Sequence, residues 1–419
     1  MRNGIPQVTP HLRLGWRWPE GLRAMRHRNF RLFFFGQLIS LSGTWMQTTA
    51  QQWLVYRLTD SQLSLGVVTF AAFLPVLLLS LFMGVIVDRF PRRRLLLLTQ
   101  SWFMLLAAVL ALLTALGVVE YWHIIVLSFL LGLANALDMP ARQAFFADMV
   151  EHDDLMNAIA LNSSVFNGAR IIGPAVGGLV VGTLGEAPAF AINALTFAAV
   201  LAGLLLMRLP PFRKPEAGGS GLRELRAGLG YLRSDRRALG LVSMVGMLSF
   251  LAFPYAILLP AVARDVLGTG AEGYGALMAA MGVGALGGAL GLAVLGDRRH
   301  KGRLLHANRL VFAGAVAAFG LSQVTALSMA ALVVAGYSFI TQLAVTNTLL
   351  QLLVPDELRG RVMSAYTWAL GGFWPLGALL IGALGDRLGA PSAVLLAAGA
   401  AFLLAVLGWI WFPEVRELR

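Results

Sequence analysis

The chain alternates between long apolar runs and short polar breaks. One run, from Leu63 to Val87, carries no charged residue. An α-helix rises about 1.5 Å per residue, so about 20 apolar residues cross the hydrocarbon layer of a bilayer. Applied along the chain, this criterion predicts twelve membrane-spanning helices, over residues 30–56, 63–87, 95–117, 123–146, 157–184, 188–208, 237–263, 273–296, 304–325, 327–350, 361–385 and 391–412.

Composition indicates a membrane protein and excludes a soluble one. Of the 419 residues, 58% are hydrophobic and 13% are charged, whereas about a quarter of the residues in soluble domains are charged. The first apolar run begins only after a polar, Arg-rich stretch that reaches Arg31, which is unlike a cleavable signal peptide. We therefore interpret this run as both the first helix and the signal for insertion.

The stretch from Leu209 to Arg236 divides the predicted helices into two groups of six. It opens Pro-rich, passes through Gly-Gly-Ser-Gly and closes in a basic amphipathic pattern, as in a linker with one surface helix. The sequence thus predicts an all-α membrane protein in five segments: a cytoplasmic N-terminal segment 1–29, a first half 30–209, a cytoplasmic linker 210–236, a second half 237–412 and a cytoplasmic tail 413–419.

The distribution of Lys and Arg predicts the orientation. The N-terminal segment, alternate loops and the tail carry 27 of the 33 Lys and Arg residues, the other loops carry 3 and the spans carry 3. Positively charged loops stay in the cytoplasm, so we expect both termini there, in a multi-pass protein of the cell (inner) membrane. The net charge of +12 therefore reflects topology, and no basic stripe interleaved with aromatic residues indicates a nucleic-acid partner.

The two halves repeat one another. Leu65–Arg89 aligns without gaps with Tyr274–Arg298 at an offset of 209 residues, and both copies end a long apolar helix in Asp-Arg. A looser match relates Pro174 in the fifth helix to Pro375 in the eleventh. A parallel six-plus-six duplication is one of the transporter architectures, with the substrate site between the halves near the bilayer midplane.

The loop after the second helix resembles the signature of the major facilitator superfamily. The segment Gly84–Arg93 (GVIVDRFPRR) matches the pattern G-x-x-x-D-R-x-G-R-R, with Pro91 where the family usually has Gly. The resemblance implies a fold of twelve helices in two six-helix pseudo-repeats. It also implies a cytoplasmic gate in which Asp88 faces the N-terminal end of helix eleven. The predicted gating residues are Gly84, Asp88, Arg89, Arg92 and Arg93, with Asp297 and Arg298 in the second copy.

A second motif resembles exporters of this superfamily. The segment Gly173–Gly178 (GPAVGG) matches the G-P-x-x-G-G core of a motif of exporters that exchange substrate for protons, although the upstream glycines are only partly present and the helix-four motif of the best-known drug antiporters is not found. Longer segments, among them Phe33–Tyr56 and Leu161–Gly178, resemble a bacterial subgroup of the enterobactin-exporter and transmembrane-secretion-effector type. The predicted motif residues are Gly173, Pro174, Gly177 and Gly178.

Three charged residues inside the spans are the candidates for proton coupling. Helix four holds Asp138 and Arg142 at i,i+4 spacing, and helix five holds Arg170. Counted inward from their shared loop, Asp138 and Arg170 reach similar depths, so we expect Asp138 to pair with Arg170, Arg142 or both. The pairing is either a permanent clamp between helices or a proton relay in which Asp138 is the carrier, because no other carboxylate lies deep in a span.

Polar residues within the spans are candidates to line a transport cavity. On helix one they recur at three- and four-residue steps, a pattern that excludes a lipid-facing role and leaves a wet cavity, which we favour, or hydrogen bonding between helices. Aromatic and amide side chains suit a bulky, partly apolar solute. The candidates are Gln37, Thr44, Gln47, Thr48, Gln51, Asn162, Asn167, Tyr337, Thr341, Gln342, Asn347, Tyr366 and Trp374.

These patterns favour transport over other membrane functions. The chain has no cysteine, its six histidines are scattered, and it lacks a nucleophile–histidine arrangement and a phosphate-binding loop, so we expect no metal, no cofactor and no enzymatic activity. The sequence favours a monomeric, proton-coupled exporter of small amphiphilic molecules such as drugs or siderophores, with membrane lipid, substrate and protons as partners. An importer or a lipid flippase on the same fold is the alternative.

Overall fold

Every long element that the structure describes is a helix. The computed structural model describes residues 19–209, 230–295 and 300–418, and no strand occurs within these ranges. Each predicted span overlaps one long helix, although the seventh helix covers only the first part of its span, which confirms the predicted all-α fold. The twelve long helices are α1 Arg28–Thr59, α2 Gln62–Arg89, α3 Arg92–Ala115, α4 Tyr121–Met149, α5 Leu155–Leu184, α6 Glu186–Leu206, α7 Arg236–Leu251, α8 Gly270–Leu295, α9 Lys301–Leu321, α10 Thr325–Leu353, α11 Asp356–Leu388 and α12 Ala390–Trp411.

Eleven of the described helices are long and apolar enough to cross a membrane. The exception is α1, which is long enough at 32 residues but carries the polar face noted in the sequence. Hydrogen-bonding side chains on this face lower the apolar character of α1 without shortening it, and the helix is surrounded by α2, α4, α5 and α6. We therefore count α1 as the twelfth span.

Helix α7 differs from its prediction as one uninterrupted span over 237–263. Its α-helical part ends at Leu251, a 3-10 segment follows over Phe253–Leu258, and a π-helical turn over Val262–Val266 completes the span. Pro254 and Pro260 lack the N–H group that a regular helix would use at these positions. Such irregular backbone is tolerated at membrane depth because nearly every residue of this stretch is buried against protein.

Helix pairing follows the duplication. Within the first half α2 packs on α4, α1 on α5 and α6, and α3 on α4 and α6. Within the second half the equivalent pairs are α8 with α10, α7 with α11 and α12, and α9 with α10 and α12. The halves meet through α5 against α8 and through α2 against α11, which are again equivalent pairs. The predicted six-helix pseudo-repeats are therefore present as two similarly packed bundles.

The buried core distinguishes the two ends of this bundle. We call the end at which α2 passes into α3 the Arg-rich face, and the end at which α1 passes into α2 the opposite face. The largest apolar cluster lies toward the opposite face and contains residues of both halves, such as Met46 and Leu277. Toward the Arg-rich face, two separate clusters belong to one half each, around Phe145 and around Leu349. Apolar packing thus joins the halves at one end only.

Candidate functional site: the interface between the two halves

Close backbone contacts seal the opposite face. A Cβ atom added to Gly178 of α5 would lie 2.7 Å from the Cα atom of Gly275 in α8. A Cβ atom added to Gly66 of α2 would lie 2.5 Å from the carbonyl oxygen of Ala378 in α11. Gly66 and Gly275 are related by the offset of 209 residues, so the same contact is made once in each repeat. Only residues without a side chain permit this approach.

Polar contacts reinforce this seal at the ends of the helices. Asp386 of α11 accepts hydrogen bonds from the hydroxyl of Ser61, at 2.7 Å, and from the backbone N–H of Gln62, the first residue of α2. The guanidinium of Arg264 lies 2.6 Å from a carboxylate oxygen of Asp60 in the other half. The carboxylate of the adjacent Asp265 accepts a hydrogen bond from Tyr56. Each of these contacts must break if the opposite face is to open.

The helix-five motif is part of the same seal. Gly173 and Gly177 face α1, where an added Cβ on Gly177 would lie 3.0 Å from the carbonyl oxygen of Met46. Gly178 faces α8 instead, and the carbonyl oxygen of Pro174 lies 2.6 Å from the position of a Cβ on Gly275. The motif therefore packs α5 against both its own half and the other half.

The residues of the gating loop are exposed or bound within the first half. Asp88 and Arg89 are exposed, and a Cβ on Gly84 would meet no atom within 4 Å. Arg92 pairs with Asp148 of α4 at 2.7 Å, and Arg93 donates to a backbone carbonyl of α6. Among the described residues Asp88 forms no hydrogen bond or ion pair with the N-terminal end of α11, so the contact expected from the resemblance is not formed in this conformation. Asp297 and Arg298 lie outside the described residues.

Asp138 is the centre of a buried polar network. Its side chain is 1% exposed, and its Oδ1 atom accepts hydrogen bonds from Thr99, at 2.6 Å, and from Gln100, at 2.9 Å, both on α3. Its Oδ2 atom accepts from Nε of Arg142, at 3.0 Å, and from Nη2 of the same residue. Arg142 also donates to Oε1 of Gln37 on α1 at 2.6 Å. The network links three helices of the first half.

Arg170 is not part of this network: of the alternatives expected for Asp138, the pairing with Arg142 is formed and the pairing with Arg170 is not. The guanidinium of Arg170 lies 5.7 Å from the ring centre of Trp45 on α1 and 5.8 Å from that of Phe339 on α10. Equal depth in the membrane does not make two residues face each other, because the rotation of each helix decides the direction of the side chain. Here Arg170 points to the second half.

The polar face of α1 serves mainly as a source of hydrogen bonds between helices. Besides Gln37, Gln47 accepts from Asn193 of α6 at 2.6 Å, and Gln51 donates to Ser128 of α4 at 2.9 Å. Thr44 and Thr48 donate to carbonyls of α1 itself, and Thr48 is exposed. The alternative of hydrogen bonding between helices therefore describes the three glutamines better than the favoured cavity.

Several other candidates are also committed to packing. Thr341 and Gln342 are buried within the second half, and Gln342 donates to the carbonyl of Asn308 on α9 at 3.5 Å. Tyr366 is buried and donates to a carbonyl of α10. The remaining candidates are half-buried: Tyr337, Asn347, Trp374, Asn167 and Asn162. Tyr337 packs against glycines of α8, and Trp374 packs against the largest apolar cluster. Asn347 accepts a hydrogen bond from Gln351, and Asn167 donates one to the carbonyl of Ser163.

Sequence reasoning missed Thr99 and Gln100. Both lie in the predicted span 95–117 and are buried, so two adjacent polar residues in an otherwise apolar run were the available signal.

A cavity of about 550 Å³ between α7 and α11 was also not predicted. Apart from Arg233 and Ser243 it is lined by apolar and aromatic residues, among them Phe250, Trp368 and Phe373. Within the described ranges no three His, Cys, Asp or Glu side chains group as metal ligands would.

Comparison with known proteins places these features in a family. The family described as transmembrane secretion effector matches residues 20–417. The enterobactin exporter EntS of Shigella boydii is 28% identical over 397 residues, which cover 94% of this chain and 93% of EntS. The multidrug efflux pump Tap of Mycolicibacterium fortuitum is 27% identical over 403 residues, which cover 92% of this chain and 96% of Tap.

A third relative matches over a shorter stretch. The staphyloferrin A transporter of Staphylococcus aureus is 27% identical over 251 residues, which cover 59% of this chain and 62% of that transporter. The chain therefore aligns with less than two thirds of the length of this relative.

Among solved structures, this chain superposes on a bacterial homolog of the human lysosomal transporter Spinster with a TM-score of 0.74 at 14% sequence identity. That structure is in an inward-facing and occupied conformation, and the match covers 95% of this chain and 99% of the homolog. At this identity the likeness concerns the fold alone.

Proposed function

Because the chain belongs to the transmembrane secretion effector family, a group of major facilitator transporters, we propose that it exports small amphiphilic molecules, such as drugs or siderophores, in exchange for protons. As a multi-pass membrane transporter it contacts lipid and a small-molecule substrate. Two of its relatives that align over nearly their whole length are named as exporters, one of enterobactin and one of drugs. Export is therefore favoured over import or lipid flipping.

The observation that carries the proposal is the difference between the two ends of the interface. The opposite face is sealed by two equivalent glycine contacts, at Gly178 and at Gly66, and by the contacts of Asp386. Toward the Arg-rich face each half has its own apolar core, and Asp88 and Arg89 of the gating loop are exposed. This is the arrangement of an alternating-access transporter with one side closed.

The orientation follows from charge. We assign the Arg-rich face to the cytoplasm of a cell whose inner membrane holds the protein as a monomer, with both termini inside. The conformation described here is then inward-facing, with the site between the halves reachable from the cytoplasm. An exporter loads its substrate in this state, and the seal at the opposite face must open for release.

Proton coupling is assigned to the network of Asp138. Both carboxylate oxygens are occupied by donors, so a proton can bind only if a contact breaks. Loss of the contact with Arg142 would free the guanidinium that holds Gln37, and thereby loosen α1 from α4. Protonation would thus act on the helix that packs against α5, whose glycines form the seal.

Transport itself is tested by comparing cells with and without the gene. We expect loss of the gene to lower tolerance to a set of cationic and anionic toxic compounds, or to reduce the siderophore found in the medium. In proteoliposomes an imposed pH gradient should drive movement of an active compound without ATP. If neither efflux nor gradient-driven transport is found for any compound, export is refuted.

The role of Asp138 is tested by the variant Asp138→Asn and the double variant Asp138→Asn/Arg142→Gln. The single variant leaves the guanidinium of Arg142 without its partner, and breaking a buried pair costs about 3–5 kcal/mol, less here because Arg142 is 22% exposed. The double variant removes both charges and should recover thermal stability. We expect neither variant to couple transport to the pH gradient. Coupling retained in the stable double variant would show instead that the pair is a structural clamp.

A further inference from the structure

The guanidinium of Arg170 lies at the centre of the interface between the halves. Arg170 is near the middle of α5, Trp45 near the middle of α1 and Phe339 near the middle of α10, so the three residues share the depth of the bilayer midplane. The guanidinium lies against both rings, at 5.7 Å and 5.8 Å from their centres. One ring belongs to each half, so a cation from the first half reaches an aromatic face of the second.

Arg170 has no anionic partner among residues 19–209, 230–295 and 300–418. It forms no ion pair or hydrogen bond there, and its Nε atom is buried without an acceptor. The one carboxylate deep in a span, that of Asp138, is occupied by Arg142 and by two neutral donors. Two aromatic faces compensate a desolvated guanidinium only partly. The fork of N–H donors on Arg170 therefore retains unused capacity to bind an anion.

The surroundings of Arg170 are aromatic and partly open. The ring of Phe166 meets Trp45 edge-on at 5.9 Å and is 45% exposed. The ring of Phe253 meets Phe339 edge-on at 4.7 Å and is buried. Arg170, Trp45 and Phe339 are each half-buried, which leaves part of every side chain free for contact. A guanidinium surrounded by aromatic side chains is suited to bind a molecule that carries an anionic group on an aromatic or apolar body.

We propose that Arg170, Trp45 and Phe339 form the substrate-binding site for the anionic group of the transported molecule, and that the substrate is an amphiphilic organic anion such as an aromatic carboxylate. This rests on the proposed export function and narrows its substrate class. The guanidinium binds the carboxylate through parallel N–H donors, while Trp45 and Phe339 hold the apolar body. Because the two rings belong to different halves, a bound anion contacts both halves and is exposed to either side as they rock.

Binding to the purified protein tests the proposal without requiring transport. The probes are two pairs of equal shape, salicylate with salicylamide and 1-naphthoate with 1-naphthamide, measured by calorimetry in nanodiscs. We expect each acid to bind more tightly than its amide. Arg170→Gln should weaken binding of the acids by about ten- to a hundredfold, as for loss of hydrogen bonds to a charged group, and leave the amides unchanged. Arg170→Lys should recover part of the acid affinity, because it keeps the charge but not the fork.

The matched control is Arg309→Gln, which removes the buried span arginine of α9, on the far side of the second half from α5. It should bind the acids as the parent does, and thermal unfolding of each variant verifies folding. If the parent does not prefer either acid to its amide, or if Arg170→Gln keeps that preference, the proposal is overturned. If the charge-dependent binding is found but no efflux is, the binding site stands and the proposed export fails.

Discussion

Replacing Gly178 with alanine adds one methyl group at the closest approach of α5 and α8. The added Cβ would lie 2.7 Å from the Cα atom of Gly275 and 2.8 Å from the carbonyl oxygen of Ala271. Carbon atoms in contact normally lie about 3.5–4.0 Å apart, so the two helices must separate by about 1 Å at this point. Both opposing atoms belong to backbone, so no side chain can rotate away to relieve the overlap.

The cost falls on the conformation described here. Overpacking of this kind destabilises the sealed conformation by about 1–3 kcal/mol. A conformation in which the opposite face is open is not destabilised, because α5 and α8 are apart there. Each 1.4 kcal/mol changes an equilibrium constant tenfold. The ratio of the sealed to the open conformation should therefore fall by about 5- to 150-fold in Gly178→Ala.

The natural absence of cysteine makes this shift measurable. The chain contains no cysteine, so a cysteine placed at Ala378 would be its single thiol. Ala378 is fully buried in the second contact of the seal, between α2 and α11, away from the substitution. A membrane-impermeant maleimide added outside the cell should label this thiol faster in the Gly178→Ala background, by up to the factor given above.

The control is Gly168→Ala in the same helix, where an added Cβ would meet no atom within 4 Å. It shares the gain in helix propensity of about 1 kcal/mol and lacks the overlap. We expect it to be labelled at the rate of the parent. Equal labelling of the Gly168→Ala and Gly178→Ala proteins would refute the inference that the glycine contact determines the sealed conformation.

Two further substitutions test packing and the polar contacts of the seal. In Gly336→Ala the added Cβ would overlap a backbone carbonyl oxygen of α8, so overpacking should destabilise the protein by about 1–3 kcal/mol and lower its midpoint of thermal unfolding. Gly314→Ala, with open space around the added Cβ, should not lower the midpoint. Equal midpoints for the two variants would contradict this reasoning. Asp386→Ala removes the acceptor for the N–H group of Gln62 and should raise the labelling rate of the cysteine at position 378 about tenfold. The control Asp356→Ala lies at the other end of α11 and should not change that rate. Equal labelling rates in the two variants would contradict a role of Asp386 in the seal.

The spans were predictable because apolar length is a one-dimensional signal. Even α1 was found, since its polar residues lie on one face and leave the run long enough. The break in α7 was missed although Pro254 and Pro260 marked it, because prolines also occur inside regular membrane helices such as α5, at Pro174, and α11, at Pro375. Whether a proline kinks a helix or ends it depends on neighbours that donate hydrogen bonds to the freed carbonyls, and these come from other helices.

The candidate sites were predictable only where partners are close in sequence. The pair Asp138–Arg142 follows from i,i+4 spacing, which fixes both residues on one face of a helix. Partners on other helices, such as Thr99 for Asp138 or Phe339 for Arg170, depend on how the helices are rotated against each other. No periodicity within one helix contains that information.

The two repeats hold different chemistry at one equivalent position. Gly132 of α4 packs on a backbone carbonyl of α2, and Gly336 of α10 packs on the equivalent carbonyl of α8, which sets the register between α4 and α10. In this register Asp138 corresponds to Gln342, and both contact the preceding helix of their own half. The sequence alignment of α2 with α8 did not extend to this pair, so the difference in charge became visible only through packing.

The single-residue turns constrain how the chain can be inserted during synthesis. Gly185 alone connects α5 to α6, and Gly389 alone connects α11 to α12, both with positive φ, at 86° and 83°. With one connecting residue, the two helices of each pair are held together as a helical hairpin, and a hairpin can enter the bilayer as a unit. In both hairpins the first helix is the less apolar member, and α5 carries the charge of Arg170. The more apolar α6 and α12 thus favour insertion of their less apolar partners, and a side chain at either glycine would strain the left-handed turn that holds each hairpin together.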